Sequence, residues 1–423
     1  MPIAPAATLI IKNASQLVTL HDRGKIGPKP GREMRNLNVI KNGAIAINGS
    51  RIVAVGETNK LLKQIKLTKR ARVVDAGKKV VTPGLVDPHT HPVFAGQRAA
   101  EFEKRIAGKS YMEIAMDGGG IISTVMAVRK ATKNTLKENG RKILDRMLSF
   151  GTTTVEAKSG YGLSTNDEIK QLQAIMDLNK EHEIDLVPTF LGAHEIPPEF
   201  KRSPDDYVIL ICTEMIPKVV SRNLAVFCDV FCEKGVFSTK QTRVILQTAQ
   251  AFGLKLKIHA DELSNTGGAE LAAEFGAVSA DHLVFAGEEG IHLMHKAGVI
   301  PVLLPGTTFF LGLDRVAPAR AMIEKGLPVA LATDCNPGSS MTESMQMIMT
   351  IACISYKLSP AEALCAATIN AAYAVDKGNE IGSMAPGKFA DLVIWDAEDY
   401  REIPYHFGGN MALCVYKKGV QVR

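Results

Sequence analysis

Residues 83 to 91 read Pro83-Gly84-Leu85-Val86-Asp87-Pro88-His89-Thr90-His91. An apolar run leads straight into two histidines placed two apart. Side chains at i and i+2 of an extended strand share a face, so both imidazoles point into one space, and a strand can thereby offer two nitrogens to one metal ion. An isolated His-x-His is more often a chance pair on a surface strand, so the weight falls on the rest of the chain. His259 ends the segment Leu254-Lys255-Leu256-Lys257-Ile258 and Asp334 ends Pro328-Val329-Ala330-Leu331-Ala332-Thr333. Read singly, His259 is a core histidine and Asp334 a turn or helix N-cap residue. Read together with the pair, they are metal-ligand types repeated at strand ends.

Outward from that stretch, eight segments have strand character: 84–89, 152–157, 185–191, 224–231, 255–259, 278–281, 299–303 and 329–333. Amphipathic helical patterns lie between several of them. Ile169, Leu172, Ile175 and Met176 share one helical face, and Val244, Ile245, Thr248, Ala249 and Phe252 share another. Ser359-Pro360-Ala361-Glu362 is a capping box with proline at the first helical position. Eight strand–helix units over about 300 residues match an α/β fold of the (β/α)8 TIM barrel type, which takes roughly 250 residues plus insertions. An open doubly wound sheet is the alternative. In a parallel barrel the strand ends meet at one mouth, which would gather the ends of strands one, five and eight.

Both chain ends read differently. Short strands are expected at 8–12, 43–47, 51–56 and 72–75, with Asn48-Gly49 as a hairpin turn, and further strands at 390–395 and 412–417. Residues 21–31, rich in Gly and Pro, are expected to form an exposed loop. Turns fall at Gly382 and Pro386-Gly387. The expected division is a composite β-sandwich domain from residues 1–82 and 385–423, and a barrel domain from residues 83–384.

Fifty basic and forty-four acidic residues leave a charge of only +6, without a basic cluster interleaved with aromatics, so nucleic acid is not an expected partner. The longest apolar runs, such as 299–305, are too short to span a bilayer, so neither is a membrane. Residues 1–11 lack the pattern of a secretory signal. Seven cysteines, an odd number, suit free thiols in a reducing compartment, and the cytoplasm is the expected location. Cys228 and Cys232 have no second pair to make a zinc ribbon and are expected to be core thiols.

The strand-end residues and their neighbours resemble the amidohydrolase superfamily over nearly the whole chain, including Ala385-Pro386-Gly387-Lys388-Phe389-Ala390-Asp391-Leu392-Val393 near the end. Within it, seven motifs are most similar to the ring-opening branch that acts on an imidazolone: His89-Thr-His-Pro-Val-Phe-Ala-Gly-Gln-Arg98, Asp117-Gly-Gly-Gly-Ile121, Lys158-Ser-Gly-Tyr-Gly162, Gly192-Ala-His194, His259-Ala-Asp-Glu262, Ser279-Ala-Asp-His282 and Thr333-Asp-Cys-Asn-Pro-Gly-Ser339. The resemblance implies hydrolytic opening of 4-imidazolone-5-propanoate to N-formimino-L-glutamate in histidine degradation. It implies that His89, His91, His259 and Asp334 bind one metal ion per chain, zinc or iron. It implies that Arg98, Tyr161, His194, Glu262, Asn336, Gly338 and Ser339 contact substrate or product, and that the chain is a homodimer.

Chemistry supports these expectations residue by residue. Three imidazoles and a carboxylate suit zinc or iron and leave room for water, whose pKa on such an ion falls from about 15.7 towards roughly 7. Asp334 is expected to take the water's proton and later return it. His282 is expected to stabilise the ring oxygen as it becomes an oxyanion, and Glu262 to serve the ring nitrogen as general acid or base. A guanidinium is well shaped to clamp the substrate's carboxylate, which suits Arg98; without the resemblance it would read as a surface arginine. Glu262 and His282 alone would read as a helix start and a backbone-bonded core histidine. Gly118-Gly119-Gly120 lacks the Lys-Ser/Thr of a phosphate loop and is expected to be a flexible loop near the substrate. Lys158 is expected just beyond the second strand, which favours one metal over two, and His406 is expected to be a structural hydrogen-bonder. A cytosine- or guanine-type deaminase of a cyclic amidine, on the same mononuclear site, is the nearest alternative, but it has little use for Arg98. A non-catalytic assembly protein on this fold should have lost ligands, and all four are present.

Overall fold

The chain opens with strands that bury alternate residues on opposite faces, as a period of two requires. In the computed structural model, which describes residues 5–22, 24–109, 113 and 118–423, these are β1 (Ala6–Val18), β2 (Val39–Asn48), β3 (Arg51–Glu57), β4 (Lys66–Asp75) and β5 (Val80–Pro83). Leu9, Ile11, Ile45 and Ile47 enter one core, while Ile10, Ala44 and Ala46 enter another with Leu61. β1 pairs antiparallel with β2 along one edge; along the other it pairs in parallel first with β4 and then with β5. The register shifts between Ile11 and Ala14, where Asn13 has a φ of 59°. Such a bulge bends a strand and lets it serve two neighbours.

Parallel strands covered on both faces read as near-continuous apolar runs, and the eight interior runs form one such sheet. Its strands are β6 (Leu85–Asp87), β7 (Thr152–Lys158), β8 (Asp185–Ala193), β9 (Phe227–Cys232), β10 (Lys255–Ala260), β11 (Ser279–His282), β12 (Ile300–Leu303) and β13 (Ala330–Leu331), paired in sequence order. The two ends of the sheet meet just beyond β6 and β13. The Asp334 N–H donates to the His89 carbonyl and the His91 N–H to the Cys335 carbonyl, both at 3.0 Å. That seam makes the sheet a barrel and excludes the open alternative. The fourth strand starts later than expected because Leu224 still belongs to the preceding helix end, its N–H donating to the Val219 carbonyl.

The chain then returns to the first sheet through β14 (Leu392–Trp395), β15 (Ala412–Lys417) and β16 (Val420–Gln421), giving the order β16-β15-β14-β5-β1-β2-β3. Buried Trp395 donates from Nε1 to Thr82 Oγ1 at 2.8 Å, joining β14 to β5. Lys417 ties this sheet to the barrel: its Nζ lies 2.6 Å from Asp391 and donates to the Thr153 carbonyl of β7 at 2.9 Å.

The loop expected at 21–31 is not wholly exposed. Lys29 and Gly31 are buried because their backbone docks on the barrel, Lys29 N–H to Asn370 Oδ1 at 2.7 Å and Gly31 N–H to the Leu327 carbonyl at 3.2 Å. The Lys29 ammonium is matched by Asp22, so its stem can lie inside. Cys228 and Cys232 are buried in β9, and all seven cysteines are free thiols. Among the described residues no helix is long and apolar enough to cross a membrane.

Candidate active site

His89 and His91 follow β6, His259 lies at the end of β10, His282 closes β11 and Asp334 follows β13, so all five face the barrel mouth. Ligand atoms of His89, His91 and His259 lie within 4.8 Å of one another. Asp334 Oδ1 is 3.6 Å from His89 Nε2 and 3.5 Å from His91 Nε2. Thr307 Oγ1 donates to the other oxygen of Asp334 at 2.6 Å. Burial holds His89, His91 and His282 well below the usual histidine range, so these rings are neutral and carry a free lone pair. Among the described residues, His89 Nε2 and His259 Nε2 are buried with no hydrogen-bond partner. Buried polar atoms are seldom left so, and a set of three imidazoles and one carboxylate with orphaned inner nitrogens fits a divalent cation.

A layer of charged side chains lies beneath the histidines. Asp281 Oδ2 is 2.6 Å from His89 Nδ1, and Asp229 Oδ2 is 3.0 Å from His259 Nδ1. Asp281 can hold a proton on His89 Nδ1 and leave its Nε2 facing the site, while Asp229 places a negative charge beside His259. Charges this deep persist only when paired. Lys158 Nζ sits 2.6 Å from Asp229 and 2.8 Å from Glu156, and Lys257 Nζ sits 3.0 Å from Glu156. All five side chains are fully buried. Lys158 is therefore the last residue of β7 and points into the barrel, not beyond the strand as expected. Burial opposes its charge, but Asp229 and Glu156 outweigh that and raise it above the ordinary lysine value. Held by two carboxylates, Lys158 serves as a counter-ion within this layer.

Above these side chains opens a cavity of about 510 Å³, and Arg98, Tyr161, His194, Glu262, Asn336, Gly338 and Ser339 all line it, together with His91, His259, His282 and Asp334. Arg98 caps the helix Ala99–Ile106, with Nε and Nη2 on Glu101 Oε2 at 2.8 and 2.7 Å. Its remaining Nη1 lies against Gly338, where an added Cβ would stand 2.1 Å away. Only glycine leaves room for that guanidinium. The His194 ring stacks on His91 with centroids 5.0 Å apart, its Nδ1 3.0 Å from the Gly160 carbonyl. Asn336 Oδ1 accepts the N–H groups of Gly338 and Ser339, each at 2.8 Å, so Asn336 also builds the loop it sits on. Glu262 Oε1 is 3.6 Å from His282 Nδ1; burial, then the charge of Asp334, lift its carboxyl well above the usual range. Gly120 N–H donates to Glu101 Oε1 at 3.1 Å, which puts the triple-glycine loop beside the cavity; Asp117 lies outside the described residues. His406 is exposed and does not line the cavity.

Residues 80–422 match the family model described as the amidohydrolase family. The imidazolonepropionase of Alkaliphilus metalliredigens (strain QYMF) is 52% identical over 411 residues, with 97% of each chain covered. That of Geobacillus kaustophilus (strain HTA426) is 51% identical over 412 residues, again with 97% of each covered. The chain belongs to the imidazolonepropionase family. More distant solved structures share the fold alone. The 5-methylcytosine deaminase of Klebsiella pneumoniae superposes with a TM-score of 0.72 at 18% identity, covering 98% of this chain and 97% of that one. An adenosine deaminase of Xanthomonas campestris with bound zinc gives 0.70 at 19% identity, covering 99% and 93%.

Within this imidazolonepropionase-family site, the reading of the sequence did not find Asp229, Asp281, Glu156, Lys257 or Glu101. A signal exists for some of them. Lys257 stands two before His259, hence on the same face, and Asp229 interrupts Phe227-Cys-Asp-Val-Phe-Cys232 in the neighbouring strand. A charge inside a run that must be buried calls for a partner on the adjacent strand.

Proposed function

We propose that this chain hydrolyses 4-imidazolone-5-propanoate to N-formimino-L-glutamate, with one zinc or iron ion held by His89, His91, His259 and Asp334. The observation that carries the reading is the presence, in one cavity, of a four-donor set and of a guanidinium, Arg98, suited to a carboxylate. Close family relationship to named imidazolonepropionases supports it.

A bound cation would supply an acidified water and a polarised ring carbonyl. The chain's own groups do the rest. Asp334 accepts the proton of the attacking water while Thr307 keeps its carboxylate oriented. The water oxygen bonds to the ring carbonyl carbon, and His282 donates to the oxygen that gains charge. The carbon–nitrogen bond then breaks, its electron pair staying on nitrogen, and Asp334 returns its proton there. Glu262, next to His282, serves the ring nitrogen as general acid or base. Arg98 holds the propanoate, and Tyr161, His194, Asn336, Gly338 and Ser339 shape the pocket around the ring. A deaminase of neutral cyclic amidines is disfavoured because its substrate offers Arg98 no carboxylate beyond the Glu101 it already holds, and because the named relatives are imidazolonepropionases.

Incubation with imidazolonepropanoate tests the reading: ring absorbance should fall as formiminoglutamate appears, and release of ammonia instead would reject it. Glu262→Gln should lower turnover about 100-fold or more with ion content per chain unchanged. Free thiols throughout suit a cytoplasmic enzyme. The resemblance also suggests a homodimer, for which sedimentation velocity is the check.

A further inference from the structure

Residues 98, 101, 102 and 105 are spaced three and four apart and so share one face of the helix that begins after Arg98. Arg98 reaches the cavity already paired with Glu101 at 2.7 Å, which offsets much of its charge before any ligand arrives. Arg105, about two turns further on, lines the same cavity. Its guanidinium carbon lies 5.0 Å from the ring centroid of Phe310 and 5.7 Å from that of Phe102, and these two rings stack at 5.1 Å. Among the described residues Arg105 makes no ion pair with a carboxylate. A guanidinium resting on aromatic faces keeps its in-plane N–H donors available, and those donors match the two oxygens of a carboxylate. No step of the hydrolysis described above uses it.

We propose that Arg105 is a second carboxylate-recognising residue, which holds the substrate's propanoate together with Arg98 and makes the site selective for anionic over neutral ring compounds. This rests on the reading that the substrate carries a carboxylate beside its ring. Arg98, neutralised by Glu101, supplies position, and Arg105 adds positive charge at the same end of the cavity.

The test is calorimetric titration of the metal-loaded chain with imidazole-4-propanoate, which has no ring carbonyl to hydrolyse, and with uncharged 4-propylimidazole. Arg105→Met should weaken binding of the anion about tenfold and leave the neutral ligand unchanged, with Arg105→Lys in between. Unchanged affinity for the anion in Arg105→Met, or equal weakening of both ligands, overturns the proposal. Neither ligand is turned over, so the result is independent of catalysis. A chain that lost anion affinity selectively yet failed to open imidazolonepropanoate would overturn the proposed reaction and uphold the role of Arg105.

Discussion

Asp281 Oδ2 lies 2.6 Å from His89 Nδ1, both fully buried, so the orientation of a ring proposed to hold the ion is fixed by a carboxylate three strands away across the closing seam. Asp281→Asn should weaken ion binding by about 10- to 100-fold, since partners behind ligating histidines tune both geometry and basicity. Competition against a chelator measures this. An ion affinity equal to that of the unaltered chain would reduce the contact to a packing role.

Gly338 and Arg98 occupy one volume: an alanine Cβ would stand 2.1 Å from Nη1 and 2.9 Å from Cζ. Gly338→Ala therefore displaces the guanidinium from its fork on Glu101. Steady-state kinetics should show kcat/KM for imidazolonepropanoate falling by about 100-fold, the scale expected when a positioning group moves by an ångström. Ion content should not change, because no ligand is touched.

Lys388 is the group whose titration reports on folding. Its Nζ donates to the carbonyls of Gly378 and Ile381, and burial lowers it from 10.5 to about 8. Between those values the unfolded chain binds more protons than the folded one, so stability rises with pH from about 8 to 10.5 and is lowest, for this group, below 8. Urea unfolding at several pH values should show that rise in the unaltered chain and lose this component in Lys388→Met.

Lys417 and Asp391 form a buried pair at 2.6 Å that also reaches the barrel through Thr153. Removing one partner strands the other charge. Lys417→Met should cost about 3–5 kcal/mol in denaturant unfolding. Lys417→Met with Asp391→Asn should cost less than the sum of the two single changes, because they share one interaction.

The eight barrel strands are legible in the sequence because each is covered on both faces and carries apolar residues on its outward face, even where charged residues such as Glu156, Asp229 and Lys257 point into the barrel. β5 is not legible. Val80–Pro83 and β6 lie within one short stretch, interrupted only by the Pro83-Gly84 turn signal, yet contribute strands to two different sheets. Gly84 marks the crossing, where an added Cβ would come within 2.3 Å of Thr153. In the site, histidines and an aspartate at strand ends stand out by type and place, whereas the ionic layer below them does not. Asp229 and Lys257 look out of place in apolar runs until Lys158 and Glu156, on other strands, supply their partners. Glu101 escapes notice because an acid three residues after an arginine at a helix start resembles any surface pair. The docking of Lys29 is hidden for a similar reason, since its stem is apolar and only its tip reads as polar.

The backbone seam between His89 and Asp334 has a consequence for biosynthesis. The earliest and the latest donors in the chain are stitched together by the same two amide contacts that shut the cylinder. A nascent polypeptide therefore cannot assemble the full donor set until its eighth strand has left the ribosome. The proposed ion site is therefore among the last features to be completed, and a chain cut short before residue 334 would have the three imidazoles without the carboxylate beside them.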